Sequence, residues 1–295
     1  VFEEAQLYSQ VTTGSRGEIT VNLHDGHPGA GDPDYRRRRG EIAAAALAWR
    51  PGQPAPRIAY HDDEVEVWRT VCRELAPLHE RLAVGEFRAA LADVDLPTDR
   101  VPGLDEVSAR LDTGWTYVPA AGLVDLRTFY AALGDRVFHS TQYVRHPAVP
   151  LYTPEPDIVH EVIGHGHLLA TPTFGELHRR AGAAAMRLRD AESLRFLSRV
   201  FWFSLEFGVV VEHGELRAYG AGILSSYGEL AEFRRMQLRP LDLVEMGTGD
   251  YDITNYQPVL YRAESVDEIE AVVGAFFDTC TDESIEELRR EHAVA

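Results

Sequence analysis

The densest collection of ligand-type side chains lies in Tyr152-Thr-Pro-Glu-Pro-Asp-Ile-Val-His-Glu-Val-Ile-Gly-His-Gly-His167, where His160, His165 and His167 sit with Glu155, Asp157 and Glu161. Imidazoles and carboxylates at this density suit metal binding or acid–base chemistry. His160 and His165 are separated by ~500° on a regular helix, about 140° from alignment. That spacing excludes the zinc-protease pattern H-E-x-x-H, which places both rings on one face. The pair converges if the helix starts late or is distorted, and Gly164 makes distortion cheap. His165 and His167 could converge on an extended segment instead, and a structural role for either stays open. A third group comes from Ser193–Gly208, a segment almost wholly apolar and aromatic except for Glu206. A lone buried carboxylate needs a charge partner or a metal; here the partner is an arginine such as Arg199 or Arg217, or an ion. Two imidazoles and one carboxylate suit Fe(II) with open positions, and zinc with His₂Glu and a water also fits.

The elements that must position these groups are mostly helical. Pro-X steps hold residues 153–157 extended, and Ile158-Val159…Val162-Ile163 turns apolar and helical. Helices are expected from Tyr35 to Trp49, from Asp63 along the Trp68/Val71/Cys72/Leu75 stripe, around Phe87/Leu91 and Leu104/Val107/Leu111, over Leu126–Leu133 with Gly134 as its C′ residue, and from Pro172 to about Asp190. Ser193–Gly208 reads as a central helix, apolar all round. Glu18–His24, Trp115–Pro119 and Gln257–Tyr261 read as extended, Val209–Tyr219 as a hairpin turning at His213-Gly214, and Ser265/Glu268 as a capping box. The tail from Asp282 is weakly helical and lacks coiled-coil heptads.

The 295 residues are 45% hydrophobic and 26% charged, as expected of a soluble globular chain. The net charge of −18 argues against nucleic acid or an anionic membrane as partner. In this acidic context Arg36–Arg39 reads as a solvated helix end. Two cysteines make no disulfide framework and point to a reducing compartment, the cytoplasm. No apolar run has the length of a membrane span. Without repeats or a clear linker, the chain divides into an arm, residues 1–30, and one catalytic domain, residues 31–295, mostly α with small β-hairpins.

Three sets of residues resemble one known family: Tyr152–His165 as given above; Phe201-Trp-Phe…Glu206-Phe-Gly208; and Ala218-Tyr-Gly-Ala-Gly…Ser225-Ser-Tyr-Gly-Glu229. Asp32–Tyr35, Gly52–Arg57, Val137–His146 and Gln257…Ser265 extend the likeness from roughly residue 30 to residue 280. Together they are similar to the pterin-dependent aromatic amino acid hydroxylases, over the catalytic domain only. The resemblance implies a bacterial-type, monomeric enzyme using Fe(II), a tetrahydropterin and O₂. It implies His160, His165 and Glu206 as iron ligands. It places Gly122, Leu123, Val124, Phe129, His139, Glu161 and Phe201 around the pterin, with Phe129 stacked on its ring. It gives Arg145 the substrate carboxylate, and Thr153, Pro156, Gly222, Ser225 and Glu229 other pocket positions. Trp202 forms the aromatic wall, and Glu161 and Trp202 stand nearest the chemistry.

Within that resemblance, Trp202 is similar to the phenylalanine and tyrosine hydroxylases and the apolar Ile253 differs from the tyrosine hydroxylases, which implies phenylalanine as substrate and tyrosine as product. The alternatives are meta-tyrosine formation, tryptophan hydroxylation, a His₂Glu zinc hydrolase, and an inactive binding protein that kept the fold. Gly166-His167 stands where the family commonly has Val-Pro, and His167 is expected to face solvent.

Overall fold

The structure is a computed structural model that describes residues 9–15, 17–252 and 255–294. Ile253 lies outside them. Strands β1 (Ser9–Thr13) and β2 (Ile19–Leu23) form an antiparallel hairpin laid on α1 (Pro33–Ala48). Asp32 caps α1, its carboxylate accepting from the N–H groups of Asp34 and Tyr35, and Pro33 occupies the first turn. Gly40 lets the hairpin approach, because a Cβ there would stand 2.8 Å from the Ile19 oxygen. In α2 (Asp62–Leu82) the stripe Val67, Trp68, Val71, Leu75 and Leu78 is buried, as its spacing predicts. Cys72 beside it is half-buried, and burial pushes its thiol up to about 12, so it is inert. Helices α3 (Gly85–Val94) and α4 (Leu104–Ala109) follow.

Strand β3 (Thr116–Pro119) pairs in parallel with β4 (Val137–Ser140), and α5 (Leu126–Gly134) crosses between them. Gly134 belongs to α5 rather than following it, and Asp135 is the cap residue. Its role is packing. Helix α5 meets α7 (Pro172–Arg187) so closely that a Cβ on Gly182 would lie 2.2 Å from the Gly134 nitrogen. The short α6 (His167–Leu169) precedes α7.

Helix α8 (Ala191–Phe201) does not run to Gly208 as a regular helix; it gives way to a π-helical turn at Trp202–Glu206. Beyond it, β5 (Val209–Glu212) and β6 (Glu215–Ala218) form the expected hairpin. His213 and Gly214 both adopt positive φ, 52° and 78°, the combination that matches a tight turn to the strand twist. Strands β7 (Gln237–Pro240) and β8 (Val259–Ala263) complete a sheet of order β6-β5-β8-β7. The parallel pairings β3–β4, β5–β8 and β7–β8 go beyond the expected hairpins. Small helices α9 (Ala221–Ser225) and α10 (Tyr227–Glu232) lie between β6 and β7. After β8, Ser265 caps a helix that begins at Val266 by accepting from the Glu268 N–H, and Asp282–Val294 ends the described chain as a helix. No helix among the described residues is long and apolar enough to cross a membrane.

Candidate metal and cofactor site

The five-residue gap is resolved by the backbone. Ile158 and Val159 begin a helix, and His160–Gly166 continues it as a π-helix, returning to α geometry at His167. Hydrogen bonds from i to i+5 bring residues five apart towards one face, where an α-helix aligns residues four apart. Gly164 matters here because a Cβ on it would lie 2.6 Å from the Ala221 oxygen of α9. Glu206 also sits in a π-helical turn, so two such distortions deliver all three groups.

The Nε2 atoms of His160 and His165 lie 3.6 Å and 3.0 Å from the Glu206 carboxylate oxygens. Candidate ligand atoms of the three residues fall within 4.8 Å of one another, and no other such set occurs among the described residues. Arg199 and Arg217, the alternative partners of Glu206, pair with Asp250 and Glu215 instead. Burial lowers His160 to about 4, with the Glu206 charge working the other way, and lowers His165 to about 3. Burial raises the Glu206 carboxyl, opposed by His160. Neutral imidazoles beside a carboxylate are what a divalent cation requires of its ligands.

His160 Nδ1 lies 2.9 Å from Ser225 Oγ, whose own proton goes to the Ala221 oxygen at 2.8 Å. The hydroxyl therefore accepts from His160 Nδ1–H, leaving Nε2 with its lone pair on the metal side. His167 is buried rather than solvent-facing. Its Nδ1 is 2.8 Å from the Ile163 oxygen and its ring meets Phe87 edge-on, outside the ligand set.

A cavity of about 150 Å³ opens beside the three groups, a size known to take up benzene. It is lined by Phe129, Arg145, Thr153, Pro156, Glu161, Trp202, Gly222, Ser225 and Glu229 from the expected set. Arg145 and Asp157 are buried together, with Nε and Nη2 donating to the two carboxylate oxygens at 2.9 and 2.8 Å. Three of the five guanidinium N–H bonds remain for a ligand. Glu229 accepts from the Gln257 N–H at 3.3 Å, while its Oε2 has no partner, and burial pushes the carboxyl up to about 7. Trp202 stacks on Tyr251 at 4.3 Å and donates from Nε1 to Gln257 Oε1 at 3.1 Å. Burial, then the charge of Glu206, drives the Glu161 carboxyl well above the usual range.

Gly122, Leu123, Val124 and His139 are half-buried and lie outside this cavity. Gly122 touches the N-terminal hairpin, since a Cβ there would be 2.9 Å from Val11 Cγ2. Phe201 does not reach the cavity either. It is fully buried behind Phe129, at 6.3 Å between ring centroids. Phe138 and His178 do not stand out in the sequence. Phe138 lines the cavity and packs on His165 at 4.7 Å. His178 lies behind His165, and burial lowers it to about 3. The available signal was a polar residue on the apolar face of α7, between Phe174 and Ala181. Glu155 also lines the cavity. Burial opposes its charge, but Arg39 at 2.7 Å, with His27 Nε2 at 3.4 Å and Ser9 nearby, holds it down to about 2.

A sequence model of the biopterin-dependent aromatic amino acid hydroxylases matches residues 12–285. The chain belongs to this family. It is 48% identical over 256 residues to the phenylalanine 3-hydroxylase of Streptomyces coeruleorubidus, covering 86% of this chain and 92% of that one. To the phenylalanine-4-hydroxylase of Dictyostelium discoideum it is 40% identical over 273 residues, 89% of this chain but 61% of that one. Among solved structures, the cold active phenylalanine hydroxylase of Colwellia psychrerythraea matches with a TM-score of 0.73, 29% identity, and coverage of 81% of this chain and 91% of that one. The Chromobacterium violaceum phenylalanine hydroxylase with iron(III) and 7,8-dihydrobiopterin gives 0.71 at 28% identity, covering 76% and 84%. The protein is thus an iron- and pterin-dependent aromatic amino acid hydroxylase. Its residues fit both groups. The His/His/Glu donor set suits Fe(II) with open positions. The buried His139 Nδ1 has no hydrogen-bond partner and Glu161 is a buried acid, two polar groups that a heterocyclic cofactor would engage.

Proposed function

We propose that this hydroxylase acts on free L-phenylalanine, inserting one oxygen atom of O₂ into a ring C–H bond to give L-tyrosine, with tetrahydropterin supplying the two electrons and taking up the second oxygen atom. The observation that carries the reading is the convergence of His160, His165 and Glu206 beside a ring-sized cavity lined by Arg145, whose Nε and Nη2 are held by Asp157.

His160, His165 and Glu206 hold Fe(II). Phe129, Glu161, His139, Gly122, Leu123 and Val124 would hold the pterin, with Phe201 supporting Phe129 from behind. Iron and tetrahydropterin, when bound, supply the activation of O₂. Arg145, braced by Asp157, takes the substrate carboxylate with its fork of donors. Trp202 walls the ring. Thr153, Pro156, Gly222 and Glu229 complete the pocket, and Ser225 serves it by orienting His160. Phe138, Phe129 and Trp202 keep water from the reacting ring. Residues 31–295 form the catalytic unit behind an arm of residues 1–30, working as a monomer in the cytoplasm with no nucleic-acid or membrane partner.

A second reading, meta-hydroxylation, is favoured by the 48% identity to a 3-hydroxylase over 92% of its length. One assay separates the outcomes. The enzyme is incubated with Fe(II), tetrahydropterin, O₂ and each aromatic amino acid, and the added oxygen is located by NMR. Tyrosine supports the first reading and meta-tyrosine the second. A hydroxylated tryptophan or tyrosine as main product would displace phenylalanine. Activity without O₂ and pterin would point to a hydrolase. His160→Ala is expected to abolish product.

A further inference from the structure

His178 hangs from α7 on the side of His165 away from the cavity and is 0% exposed. Its Nδ1 lies 2.7 Å from the Phe174 oxygen, one turn back on the same helix. A carbonyl only accepts, so Nδ1 carries the proton of the neutral ring and Nε2 becomes an acceptor. That Nε2 faces His165 Nδ1 at 3.2 Å. His165 must therefore donate from Nδ1, which leaves its Nε2 with a lone pair, 3.0 Å from Glu206 Oε1. A single main-chain carbonyl of α7 thus dictates, through His178, which nitrogen of His165 is free to ligate. The relay ring is held in place by Phe201 at 5.4 Å and Trp115 at 6.4 Å, both edge-on.

We propose that His178 is a positioning residue for the metal: it locks His165 in the tautomer that presents Nε2 to the ion and makes that nitrogen a better donor. The proposal rests on the reading of His165 as a ligand. It also sets the two histidines apart. His160 is oriented by a hydroxyl in the cavity wall, Ser225, whereas His165 is oriented by an imidazole outside the cavity. Substitution of His178 therefore acts on the metal without removing a wall of the pocket.

The metal-free full chain is titrated anaerobically with Fe(II) by calorimetry and with Co(II) by visible absorption, for wild type and for His178→Ala, His178→Gln and His178→Leu. Loss of the hydrogen-bond partner of a ligating histidine typically costs about 10–100-fold in metal affinity. That loss, with a changed Co(II) band, is expected for His178→Ala and His178→Leu. His178→Gln, which offers an amide oxygen to His165 Nδ1–H, is expected to recover part of it. Thermal melts of the metal-free proteins check folding, and if His178→Ala does not fold, the Gln and Leu variants carry the comparison. Wild-type affinity and spectrum in His178→Leu would overturn the proposal, as would equal recovery by Leu and Gln, which would reduce His178 to a space-filler. Failure of the wild type to bind either ion would instead refute the metal-site reading itself.

Discussion

At the scale of single residues, the site depends on buried charges whose partners are fixed. Arg145 is held by both oxygens of a buried Asp157. A lysine offers a point charge in place of a planar fork. Arg145→Lys is therefore expected to raise KM for phenylalanine about 10–100-fold, with a smaller change in kcat, as for loss of uniform binding. Steady-state kinetics at saturating pterin would check it. Glu229 gives a pH signature. Its carboxyl is raised from 4.5 to about 7 in the folded protein, so the folded state holds a proton that the unfolded chain has lost. Stability then falls as pH rises from about 4.5 to about 7 and levels off beyond. Glu229→Gln removes that loss, so its thermal midpoint should gain on the wild type across that window and run parallel above it. A constant difference from about pH 5 to about pH 8 would show that Glu229 titrates normally. These roles were only partly legible in the sequence. The identities of Arg145 and Glu229 came with the family resemblance, but the orphaned oxygen of Glu229 is a property of packing. His178 was hidden for the same reason, since its importance comes from a contact across elements.

At the scale of elements, close approach explains what periodicity could not. The Gly134–Gly182 contact lets α5 and α7 meet backbone to backbone, and those helices carry Phe129 and His178. A methyl at position 182 has no space, and overpacking of this kind costs about 1–3 kcal/mol. Gly182→Ala should lower the thermal midpoint by several degrees, at roughly 2–4 °C per kcal/mol for a chain of this size. An unchanged melt would mean that the helices separate at no cost. Apolar spacing located α2, α5 and α7, and turn chemistry located the His213-Gly214 hairpin. The regular helix expected over Ser193–Gly208 broke at Trp202, because periodicity reports which face is apolar and is blind to one extra residue per turn. Gly134 looked like a helix terminator because the signal for a cap and for a close crossing is the same small residue. His167 looked solvent-facing because a polar side chain has no visible partner in sequence; the Ile163 carbonyl and the Phe87 ring supply one.

At the scale of the whole molecule, the parallel pairings join segments far apart in the chain, and their register is not written in local pattern. Helical content and small hairpins were readable; the four-stranded order β6-β5-β8-β7 was not. The net charge of −18 opposes self-association, and the sequence of the helix Asp282–Val294 carries no sustained heptads, the two features behind the proposed monomer. Size-exclusion chromatography at physiological salt should elute the protein at the mass of one chain, and elution at twice that mass would contradict the monomer reading.

The π-helical turn at His160–Gly166 has a consequence for how this segment tolerates change. Deleting Ile163 would leave the string His-Glu-Val-Gly-His, which matches the zinc-protease pattern. The helix would then relax to the commoner ladder, and the two histidines, now four residues apart, would still share a face. The extra residue between the two histidines is thus taken up by the ladder itself, while Gly164 has no room for a side chain. Two metal chemistries that differ on paper by one letter are separated in the molecule by a shift in the hydrogen-bond ladder.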